Sequence, residues 1–114
     1  MGGAVIYHNP RCSTSRKTLE LLRDNGIEPD VVQYLKTPPS RDELVRMIRD
    51  AGIEVRAAVR KRESLYTELN LADAGDDELL DAMASHPILI ERPFVVTAKG
   101  TRLARPIDGV REIL

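Results

Sequence analysis

The residues best suited to chemistry lie in one short stretch, YHNPRCSTSRKTLELL, residues 7–22. It contains the chain's single cysteine, Cys12, set among His8, Arg11, Arg16 and the hydroxyls of Ser13, Thr14 and Ser15. A cysteine acts as a nucleophile through its thiolate, which neighbouring cations and the exposed amides of a helix N-terminus stabilise over the thiol. Free cysteine is more often a buried, inert residue. Core cysteines, however, sit within apolar periodic segments, whereas this one falls between the end of a strand pattern and the start of a helix pattern. Arg11, Arg16 and His8 add positive charge around it. Cys12 therefore reads as a reactive thiol.

Several thiol chemistries fail on spacing. Cys12-Ser13-Thr14-Ser15 is C-x-x-S, so the second sulfur of a dithiol centre is missing. A phosphate-cradling C-x5-R loop needs arginine at position 18, where Thr18 stands. A structural zinc site needs about four ligands, beyond what one cysteine and two histidines provide. Neither His8 nor His86 has the context of a protease base. What remains is one thiolate that takes any second thiol from another molecule.

The elements that must position this sulfur can be read from periodicity. Ala4–Tyr7 is a short apolar run of strand type, and Leu19, Leu21 and Leu22 with the stop Asn25-Gly26 outline a helix from Ser13 or Thr14. Val31–Tyr34 reads as a second strand. A β-α-β unit of this length predicts a parallel pair joined by a crossover. Ser40-Arg41-Asp42-Glu43 has the form of a capping box opening a helix that ends at Ala51-Gly52. A second helical block is expected over Val55–Asn70, broken near Glu63-Ser64, and a third from Asp76 to Ser85-His86-Pro87, with acids at its positive end. Phe94–Thr97 and Thr101–Ala104 read as a hairpin around Ala98-Lys99-Gly100. Ile107–Leu114 closes as a short helix. The order is β-α-β, a helical insertion, then β-β-α: a single α/β domain over residues 1–114 with the thioredoxin-like arrangement.

Composition narrows the partners. The chain has 114 residues, 17 basic and 18 acidic, so bulk charge points to no nucleic acid. With three Tyr, one Phe and no Trp, its core must be aliphatic. One cysteine suits a reducing compartment. No apolar run nears the ~20 residues of a membrane helix, and no signal-peptide pattern opens the chain. A cytoplasmic protein without a membrane partner is the expectation.

With these residues in view, YHNPRCSTSRKTLELL, YLKTPPSRDELV, VRAAVRK, YTELNLAD, HPILIERPFVV and GTRLARP together resemble the glutaredoxin-dependent arsenate reductase family, ArsC-like and of short form. The resemblance runs from about residue 4 to the end. It implies that Cys12 is the nucleophile, that Arg60, Arg92 and Arg105 bind the oxyanion, that His8 lowers the cysteine pKa, and that Ser15 places a hydroxyl near the sulfur. Arg16 is a further candidate for stabilising the thiolate or its anionic substrate. It further implies arsenate or a similar oxyanion as substrate, glutathione as co-substrate, glutaredoxin as partner, and no bound cofactor or metal. Families of this fold carry a cis proline beside the cysteine, so the Arg92-Pro93 bond is expected to be cis.

Local pattern alone says less. Arg56, Arg60, Lys61 and Arg62 read as a solvated basic face, Arg92 and Arg105 as strand-end charges, His86 as a structural residue at a helix C-terminus, and Tyr34 and Tyr66 as packing residues. Two alternatives stand beside the reductase. One is a glutathione-linked thiol oxidoreductase of another substrate, in which the arginines hold glutathione carboxylates. The other is a regulator of the Spx type that binds RNA polymerase, although those commonly carry the C-x-x-C switch that Ser15 removes here.

Overall fold

A computed structural model describes residues 3–114; Met1 and Gly2, which the sequence reading includes in the domain, lie outside the described residues. The described residues form two compact units, one of residues 3–37 with 92–114 and one of residues 38–91.

The first unit carries the sheet. Its strands are β1 (Val5–His8), β2 (Asp30–Gln33), β3 (Phe94–Thr97) and β4 (Gly100–Leu103), in the order β2-β1-β3-β4. β1 runs parallel to β2 and antiparallel to β3, and β3 and β4 form the expected hairpin. Thr97 pairs directly with Gly100, so the turn proper is Ala98-Lys99. The alternation that β1 must show appears as buried Ile6 and His8 against half-buried Val5 and Tyr7. Ile6, Leu22, Val95, Ala104, Val110 and Ile113 make the core, with Leu19, Leu21, Ile27 and Leu114 packed on it. Each fully buried aliphatic side chain contributes roughly 1.5–3 kcal/mol.

Helix α1 (Ser13–Asp24) follows β1 directly. Its inward face is Ser15, Thr18 and Leu22, all fully buried, so it is polar near Cys12 and apolar one turn further on. Thr18 satisfies its hydroxyl on the Thr14 carbonyl at 2.8 Å. The helix ends in a Schellman motif. Ile27 N–H donates to Leu22 O (2.9 Å) and Gly26 N–H to Arg23 O (3.0 Å), with Gly26 at φ 76°, where a side chain would be strained. After β4 the chain closes in a 3₁₀ helix, Ile107–Ile113, whose Val110 and Ile113 are buried.

The second unit is helical. α2 (Arg41–Ala51) opens with the capping box read from the sequence: Glu43 N–H donates to Ser40 Oγ (3.1 Å) and Ser40 N–H to Glu43 Oε1 (2.9 Å). It packs on α4 (Asp76–Ser85), and Arg41 ties the two through Asp77 and Asp81 at 3.2 and 2.7 Å. Val55–Asn70 is not one helical block but a 3₁₀ turn, Val55–Ala58, an extended step at Val59, and the short α3 (Ser64–Glu68). Buried Val59 forms an antiparallel bridge with Ile90, closed by Arg60 N–H to Leu89 O and Glu91 N–H to Ala58 O, both 2.7 Å. That long-range pairing takes the amides a helix would have used.

Among the described residues no helix is long and apolar enough to cross a membrane.

Candidate active site

Cys12 caps α1 from an extended conformation (φ −92°, ψ 121°), just outside the first helical turn. The loop before it is a tight turn in which Cys12 N–H donates to Asn9 O at 3.0 Å, and Arg11 N–H donates to Asn9 Oδ1 at 2.9 Å. Asn9 is buried and so fixes the loop from below. Sequence reasoning gave Asn9 no role. The Asn-Pro pair, a turn-forming dipeptide, was the available signal.

The sulfur is partly exposed. Burial pushes its pKa up, but the Ser15 amide, the Arg92 guanidinium by hydrogen bond and charge, and the Thr14 amide outweigh that. The net result is a thiol held below the ordinary cysteine value. The first turn of α1 contains no acid to oppose this.

Two predicted arginines reach the sulfur from the other end of the chain. Antiparallel pairing of Tyr7 with Phe94 sets the start of β3 beside the end of β1. Arg92, 7% exposed, lies there, and its bond to Pro93 is cis as expected. The Arg105-Pro106 bond is cis as well, which the sequence reading did not anticipate. Arg105 donates from Nε to Arg92 O at 2.9 Å and places Nη2 3.7 Å from Cys12 Sγ. One thiol thus has two guanidinium groups and two backbone amides around it.

His8 and Ser15 form the layer beneath. His8 Nδ1 and Ser15 Oγ share a hydrogen bond of 2.6 Å, and Asn9 N–H donates to the same hydroxyl at 3.1 Å. Both side chains are buried. Burial, and then the charges of Arg23 and Arg16, lower the His8 pKa below its ordinary value, so the imidazole is neutral at pH 7. It supports Ser15, whose amide acts on the sulfur, rather than contributing a positive charge. Arg16 donates to Pro10 O at 2.8 Å and braces the loop.

Arg60 belongs to the helical unit. Its Nε lies 3.1 Å from Glu63 Oε2 and its Nη1 2.9 Å from Glu91 Oε1, an ion-paired group 14% exposed. The basic run around it is not one solvated face: Arg56 donates to Tyr66 Oη and Leu71 O at 3.1 Å and to Ala74 O, while Lys61 and Arg62 are exposed. Tyr34 is buried and His86 exposed at the end of α4. Among the described residues no three His, Cys, Asp or Glu side chains are grouped to hold a metal ion.

A β-Cys-α unit beside a cis proline that opens an antiparallel strand defines a single-thiol centre on a thioredoxin-like fold. Comparison with known proteins narrows the class. The model of the ArsC family matches residues 7–113, and the chain belongs to that family. It is 57% identical over 116 aligned positions to an arsenate reductase of Escherichia coli K12, covering 100% of this chain and 82% of that protein. It is 59% identical over 112 positions to an arsenate reductase of Rhizobium meliloti, covering 96% and 80%. The solved structure of an arsenate reductase from Vibrio cholerae superposes with a TM-score of 0.94 at 53% identity, over 99% of this chain and 98% of that one.

Proposed function

We propose that this chain is an arsenate reductase that uses Cys12 as its one nucleophile, with glutathione and glutaredoxin as the source of electrons. The observation that carries the reading is the place of Cys12 at the opening of α1 with Arg105 Nη2 3.7 Å from its sulfur, where Arg92 and the α1 amides favour the thiolate. The names of the similar proteins supply the oxyanion.

The chemistry follows from charge. A thiolate and an arsenate anion repel, so the anion must be neutralised before arsenic can be approached. Guanidinium forks make paired hydrogen bonds to tetrahedral oxyanions, which suits Arg92 and Arg105. Arg60 is proposed as a third by its place in the family's motif. Cys12 Sγ attacks arsenic, a sulfur–arsenic bond forms, and an arsenic-bound oxygen leaves as water after protonation. Glutathione thiolate then attacks Cys12 Sγ. The sulfur–arsenic electron pair stays with arsenic, which passes from As(V) to As(III) and departs as arsenite. The resulting Cys12–glutathione disulfide is reduced by glutaredoxin, so no resolving cysteine is needed on this chain.

The experiment couples glutathione, glutaredoxin and glutathione reductase to NADPH oxidation. Arsenate-dependent NADPH consumption by the purified protein is expected. Consumption that stays at the no-arsenate background would overturn the assignment of substrate.

A further inference from the structure

A groove of about 240 Å³ opens beside the cysteine loop, with Asn9, Pro10 and Arg11 on one wall and Gln33, Leu35 and Lys36 on the other. We propose that this groove receives a carboxylate of the peptide thiol that resolves Cys12, with Arg11 and Lys36 as its anchors. The inference deepens the reading above and rests on its assignment of glutathione as the reductant.

Position is the first reason. β1 and β2 are parallel and in register to their last pair, His8 with Gln33. The chain leaves both strands at the same end, so the two loops face each other across the groove. Open α/β sheets bind ligands outside these carboxyl ends. β2 is also the sheet's edge among the described residues, so nothing in the sheet covers this side.

Reach is the second. The turn closed by Cys12 N–H on Asn9 O keeps the ends of the segment 9–12 together, and such turns hold their first and last Cα atoms within about 7 Å. A tripeptide extends to roughly 10 Å. Its central thiol therefore lies roughly 5 Å from either end, comparable with the span of the turn that joins Cys12 to the Asn9 wall of the groove.

Charge is the third. Glutathione carries two carboxylates and one ammonium, a net anion. The groove offers a guanidinium and an ammonium and has no acidic residue in its lining. Neither Arg11 nor Lys36 joins an ion pair among the described residues, so no internal partner must be displaced. The neighbouring hollow along α1 differs: Glu20 and Asp24 line it, and its Arg23 already pairs with Glu28 at 3.1 Å. Leu35, 43% exposed beside the two cations, gives the peptide's methylenes an apolar wall.

The test uses thiol–disulfide exchange, which needs no arsenate. Cys12 Sγ attacks one sulfur of glutathione disulfide, the Cys12–glutathione disulfide forms, and glutathione thiolate leaves with the electron pair of the broken bond. Second-order rate constants are measured for the full chain with glutathione disulfide and with uncharged 2-hydroxyethyl disulfide. Their ratio cancels any change in Cys12 reactivity. The double variant Arg11→Glu/Lys36→Glu is expected to lower that ratio about tenfold, equivalent to about 1.4 kcal/mol. Lys17→Glu, an equal reversal on the exposed face of α1, should change it less than about twofold. An unchanged ratio in the double variant, or an equal fall with Lys17→Glu, would overturn the groove while leaving Cys12 a reactive thiol. A wild-type Cys12 inert to both disulfides would overturn the groove and the underlying mechanism together.

Discussion

Cys12→Ser is expected to reduce arsenate-dependent turnover by at least about 10³-fold, to the uncatalysed background, because replacing a nucleophile removes the whole covalent route. The loss has two independent causes. A serine hydroxyl is not ionised near neutral pH, so the surrounding charge cannot turn it into a comparable nucleophile. An oxygen at this position also cannot form the disulfide with glutathione, so even a slow first step would not lead to turnover. Folding should be almost untouched. The side chain is partly exposed and lies outside the core of Ile6, Leu22 and Val95, and substitutions at such positions usually shift stability by less than about 0.5 kcal/mol. A denaturant midpoint equal to wild type with activity gone is the expected pair of results. Retained turnover would mean that the chemistry lies elsewhere.

Arg92→Ala is expected to lower kcat/KM for arsenate by about 10²–10³-fold, the usual effect of deleting one preorganised donor to an oxyanion. It should do something more. Arg92 contributes to the low Cys12 pKa both by hydrogen bond and by charge. Removing it leaves burial opposed by the two backbone amides, with Arg105 the one remaining guanidinium at the sulfur, so the thiol pKa moves up toward its ordinary value and less thiolate is present at pH 7. Alkylation of Cys12 at pH 7 should therefore slow in the variant, and its rise with pH should shift to higher pH. Arg92→Lys keeps the charge without the fork, and is expected to restore the alkylation rate better than it restores arsenate kcat/KM. A fall in kcat/KM with an unmoved alkylation profile would show that Arg92 only binds the anion. No change in either would contradict its place beside the sulfur.

What could be read from the amino acids alone divides along a physical line. Local features were legible because their causes are local. The β1-Cys12-α1 junction, the Ser40–Glu43 box and the acids opening α4 each follow from residues a few positions apart. The cis bond before Pro93 and the arginines at 92 and 105 were reached through family resemblance, since a strand-end arginine has no local mark of function. Interactions closed by distant residues were not legible. Val59 leaves the helical pattern to bridge Ile90, 31 positions away, and Arg60 takes Glu91 as partner over the same span. His8 was read as a charge acting on the sulfur. Burial makes it neutral and directs it to Ser15, and burial is a property of the folded chain.

The claim on which the mechanism depends is that Cys12 ionises at a lower pH than an ordinary cysteine. The most direct measurement is the rate of iodoacetamide alkylation of the single cysteine between pH 4 and 10, in the absence of arsenate. Protonated thiol predominates below the folded-state pKa and thiolate above it, so the rate must rise through that pKa and then level off. An inflection below the ordinary cysteine value is the predicted result. A rate still climbing through the ordinary range of an unperturbed thiol, or above it, would contradict the account.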